Sequence, residues 1–122
     1  MTLEQAKRNL EFANYIENDV PDDKFDMRNW FAGDIFTCGS VTCLAGHAIW
    51  WPPYVELIKE YYKDRTVPSP YTLVLHSNLL EDIMGDDTIN NRVFYQQEFT
   101  KVKALEAFRD IVYRNHPKLM PN

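Results

Sequence analysis

Apolar residues along this chain return at intervals of three and four between well-marked breakers, a period that belongs to amphipathic helices. Leu3, Ala6, Leu10 and Ala13 begin the pattern, and Phe12 and Ile16 widen the stripe. Thr2 and Gln5 stand in the capping-box relation at its start. Asn18-Asp19 ahead of Val20-Pro21 stops it, because the residue before a proline is pushed out of the α region. The spacing predicts a first helix over 3–18. A second, buried helix is expected over Val41–Trp50, where Cys43, Ala45, Gly46 and Ala48 are small enough to admit a close neighbour. Trp51-Pro52-Pro53 ends it and opens a third over 53–63, since proline is tolerated in a first turn; Tyr54, Val55, Ile58, Tyr61 and Tyr62 fit its apolar side. Asn78 with Glu81 and a closing Gly85 marks a short helix over 79–84. Thr100 opens the last, with Val102, Leu105, Phe108 and Val112 on one side and Asn115 and Pro117 at its end.

Between these lie less regular stretches. Phe25–Phe31 is a short aromatic-rich segment, and Asp86–Gln97 reads as polar and irregular. Residues 64–76, with Pro68 and Pro70 ahead of Tyr71-Thr72-Leu73-Val74-Leu75, admit a loop, a short strand or the lead-in to a helix. The fold class is therefore mostly α: a compact single-domain helical bundle of about five helices over residues 1–122, with room for at most one short β-hairpin. Seven Tyr, seven Phe and three Trp in 122 residues supply enough buried area for one core and set aside disordered and low-complexity classes. A net charge of −5 has the wrong sign for a chain that lives on nucleic-acid phosphates or anionic lipid, so direct nucleic-acid and membrane partners are not expected. Met1-Thr2-Leu3-Glu4-Gln5 lacks the basic flank and apolar block of a secretory leader, which points to the cytoplasm. Two cysteines are too few for a disulfide scaffold, leaving packing, metal binding or a reactive thiol.

The unusual chemistry sits in Cys38-Gly39-Ser40-Val41-Thr42-Cys43-Leu44-Ala45-Gly46-His47-Ala48, preceded by Phe25-Asp26-Met27-Arg28-Asn29-Trp30. Over residues 25–48 the chain resembles a widespread set of small bacterial and bacteriophage proteins that carry F-D-M-x-x-W and, downstream, C-G-[ST]-x-x-C-x-x-G-[HW]-A. The resemblance implies a phage or mobile-element origin and brings no catalytic residues with it. Its motif core here is Asp26, Trp30, Cys38, Gly39, Cys43, Gly46 and His47.

Three readings of that core stand side by side. If Ser40 caps the helix, Cys38 lies just outside the positive end of the helix dipole, where a thiol is activated towards hydrolase or transferase chemistry. His47 would then be displaced by roughly 10 Å along the axis, so His76 or His116 would have to serve as base. In the second reading Cys43 and His47, four residues apart, share one zinc ion. Cys38 joins them only if the helix begins near Cys43, and a fourth ligand is needed from Asp26, Asp34, His76 or His116. In the third no cofactor is involved: Cys43 packs as a small hydrophobe, Trp30, Trp50 and Trp51 surround it, and the His47 ring meets a backbone carbonyl or a carboxylate, with Asp26 or Asp34 to hand.

Two acidic clusters complete the inventory: Glu17, Asp19, Asp22 and Asp23 beside Asp26, and Glu81, Asp82, Asp86 and Asp87. Each reads either as charge that keeps helix ends and turns soluble or as a surface that docks on a basic groove. The function expected from all of this is a small acidic accessory protein, without catalysis, that binds and modulates a host macromolecule, a host protein before any other. The alternatives are the Cys38 thiol enzyme and a zinc-stabilised binding module.

Overall fold

The computed structural model describes residues 1–28, 42–69, 73 and 78–121. Among them are five α-helices: α1 (Leu3–Asp19), α2 (Leu44–Ala48), α3 (Pro52–Tyr61), α4 (Asn78–Met84) and α5 (Lys101–Asn115). A single 3-10 turn at Asp22–Lys24 and a π-helical turn at Asn90–Phe94 lie between helices, and a 3-10 turn at Pro117–Leu119 follows α5. No strand occurs among the described residues, whose one β feature is an isolated parallel bridge between Phe25 and Thr42. Of the 64–76 stretch, residues 70–72 and 74–76 lie outside the described residues; Leu73 is buried and donates its N–H to the Ser69 carbonyl at 3.0 Å.

The long helices α1 and α5 run antiparallel. The C-terminal end of α1 meets the first turn of α5 where Lys101 Nζ donates to the Val20 carbonyl at 2.6 Å, Arg109 Nη1 donates to Glu17 Oε1 at 3.1 Å from the middle of α5, and at the other end His116 Nε2 donates to the Met1 carbonyl at 2.8 Å. Phe12 sits at the centre of the core, its ring 5.4 Å from Trp51, 5.1 Å from Tyr54 and 5.9 Å from Phe108, in the tilted and edge-on arrangements that aromatic quadrupoles favour. One residue of α1 thereby gathers α3, α5 and the Trp51 turn.

The local start signals hold. Thr2 Oγ1 accepts from Gln5 N–H at 3.1 Å while Gln5 Oε1 accepts from Thr2 N–H at 2.8 Å, closing the capping box, and Thr100 Oγ1 accepts from Lys103 N–H at 3.2 Å. Gly85 has φ +88°, the left-handed residue that ends α4, and Asp86 N–H reaches back to the Glu81 carbonyl at 3.2 Å as in a Schellman closure.

Several expectations need correction. The helix expected over Val41–Trp50 is α2 alone: Cys43 is its N-cap and Thr42 lies in the Phe25 bridge, so Ser40 does not cap it. Trp51 is buried but Trp50 is exposed on the turn after α2, and Trp30 lies outside the described residues. On α5, Val102 faces solvent, and the buried stripe is Ala104, Leu105, Phe108, Ile111 and Val112. Leu3 is likewise exposed, while Asn9 takes a place among the buried residues of α1. Asn78 is the first residue of α4, and Glu81 reaches forward, its Oε2 accepting from Asn90 N–H at 3.1 Å. The polar stretch 86–97 contains the π-helical turn, with Val93 and Phe94 buried in it and Ile89 buried just before it; so few apolar side chains among polar neighbours establish no period that a helix or strand template would register.

Candidate functional site

The two halves of the motif are joined by main chain. Asp26 N–H donates to the Thr42 carbonyl at 3.0 Å and Thr42 N–H to the Lys24 carbonyl at 3.3 Å, laying residues 24–26 beside the approach to α2. His47, near the end of α2, reaches the same strip. Its Nε2 lies 2.8 Å from the Lys24 carbonyl, which can only accept, so Nε2 carries the proton. Its ring lies parallel to that of Phe25, with 3° between the planes and 6.0 Å between centroids. Of the partners expected for the imidazole, the backbone carbonyl is the one found; the Asp26 carboxylate accepts from Arg28 N–H at 2.9 Å and pairs with Arg28 Nε at 3.5 Å. Burial lowers the His47 pKa below its ordinary 6.5, the Lys24 hydrogen bond works against that, and the charge of Lys101 adds to it.

Cys43 is buried, with its carbonyl accepting from His47 N–H at 3.0 Å. Burial raises its thiol above the ordinary value, outweighing the amide hydrogen bonds from Gly46 and Ala45 that favour the thiolate. Gly46 answers a close approach from within the same segment: a Cβ there would collide with the Oγ1 of Thr42 and stand 2.9 Å from its Cβ and Cγ2. The neighbour that the small residues admit at this point is the chain's own Thr42, itself buried. Among the described residues no group of three His, Cys, Asp or Glu side chains is placed to hold a metal. Cys38, Gly39, Asp34 and His76 lie outside the described residues, so the thiol and zinc arrangements that need them do too.

The acidic clusters occupy opposite ends of the α1–α5 pair, separated by the seventeen residues of α1, about 25 Å at 1.5 Å per residue. Within each, half the carboxylates work internally. Glu17 accepts from Arg109, and Asp22 accepts from Lys101 Nζ at 3.1 Å. At the far end Glu81 holds Asn90, and Asp86 accepts from Thr88 and, at 2.9 Å, from Asn115 Nδ2. Burial pushes the Asp86 carboxyl up, but its hydrogen bonds from the Thr88 and Asn115 side chains and the Thr88 amide prevail and hold it below 3.8. Asp19, Asp23, Asp82 and Asp87 are exposed.

The most enclosed polar constellation was not among the candidate residues. Asn9 Nδ2 donates to the Met84 carbonyl at 3.0 Å, Tyr54 OH donates to Asn9 Oδ1 at 2.6 Å, and Gln5 Nε2 donates to the Ile83 carbonyl at 3.2 Å. α1 thus caps the last turn of α4 with two side-chain amides, one of them in full burial. Burial pushes the Tyr54 hydroxyl pKa well above 10.0, keeping it a donor. The signal available in sequence was position: residue 9 falls between Ala6 and Ala13 on the apolar stripe, where a polar side chain must find a partner.

Comparison of the chain with family models, with curated proteins and with solved structures finds no match. Among the described residues no helix is long and apolar enough to cross a membrane.

Proposed function

We propose that this chain is a small acidic accessory protein of phage or mobile-element type that binds a host protein through carboxylate-bearing surface, inside the bacterial cell and without catalysis. The observation that carries the reading is a division of labour. Cys43 and His47 are turned inward and held by the packing of α2, whereas Asp19, Asp23, Asp82 and Asp87 stand exposed at the two ends of the molecule. Exposed like charge attracts an oppositely charged partner and steers its approach. The resemblance of residues 25–48 to bacteriophage proteins supports the setting.

Affinity capture from host-cell lysate, with mass spectrometry, tests it. A stoichiometric basic partner is expected, and charge reversal at one end, D19K with D23K or D82K with D87K, should weaken its binding about tenfold while the thermal midpoint barely moves. Affinity untouched by reversal at both ends would remove the carboxylates from the account.

A further inference from the structure

We draw no further inference here: the strongest candidate, the open concavity at the end of α4 lined by Glu81, Asp82, Asp86 and Asp87, is a cluster of carboxylates with nothing beside it in the structure that points to a ligand, since the one buried side-chain polar atom left without a hydrogen-bond partner among the described residues, Asn90 Oδ1, lies outside its lining.

Discussion

The C-terminal ends of α1 and α4 face the same difficulty and meet it with different chemistry. Each helix ends with carbonyls that have no partner of their own. At α1 the ammonium of Lys101 closes the Val20 carbonyl at 2.6 Å, with the Glu17 carbonyl at 3.4 Å and Asp22 alongside. At α4 the closing groups are the neutral amides of Gln5 and Asn9, with Tyr54 bonded behind Asn9. The first end lies at the surface, beside exposed Asp22 and Glu17, and the second is sealed against α3. A cation gains from the α1 dipole and from adjacent carboxylates while its hydration is only partly lost; enclosed beside Met84 it would forfeit far more than one carbonyl returns. The donor follows the local cost of burying charge.

Removing the sealed donor should have the largest effect. Asn9→Leu strands the Met84 carbonyl and the Tyr54 hydroxyl in the core at a cost of about 3 kcal/mol, a fall in thermal midpoint of about 10 °C. Tyr54→Phe, which strands only Asn9 Oδ1, should cost less than half of that, and a double-mutant cycle should show the two substitutions coupled. Lys101→Met keeps the length of the side chain but removes the ammonium at the partly wet end. A loss of about 1 kcal/mol is expected by denaturant unfolding, shrinking in high salt. If Lys101→Met costs as much as Asn9→Leu, the distinction between the two ends fails.

His47 sharpens the contrast, because one donor can be taken from neutral to charged without leaving its place against Lys24. Its folded pKa is depressed below 6.5, chiefly by burial, so the fold favours the neutral ring. The stability this contributes is fully present above pH 6.5 and is lost as pH falls through the lower, folded value, where the unfolded chain binds the extra proton. Wild type compared with His47→Gln across that range should therefore differ in slope, with wild type declining more steeply towards acid. This is the smallest of the four effects, since the ring keeps its hydrogen bond in both states. Parallel pH profiles would show that burying charge at this position costs nothing.

Much of the fold can be read from local pattern. The capping box at Thr2 and Gln5, the cap at Thr100 and the turn at Gly85 each depend on residues within a few positions of one another, and each is found where the spacing places it. The burial of Cys43 and the backbone-carbonyl partner of His47 were legible in the packing reading of the motif, because a small polarizable thiol suits a core and a partly buried imidazole must find a hydrogen-bond partner. Less could be read where period misled. Val102 and Leu3 fit the apolar stripes of their helices but fall at the edge of the buried arc, and Trp50 and Trp51, adjacent in sequence, separate at a turn into one exposed and one buried ring.

The amino-acid order by itself determined that this chain is helical, where α1 and α5 begin, how α4 is closed by a left-handed glycine, and that its net charge is negative, because helix propensity, capping and charge act between near neighbours or sum over the whole. Only the tertiary structure decided which side chains close the helix ends. Asn9 reaches Met84 across 75 positions and Lys101 reaches Val20 across 81, and no spacing rule spans such distances. A carbonyl orphaned at a helix end takes whatever donor packing brings within about 3 Å, and packing is settled by the burial of the whole aromatic core at once.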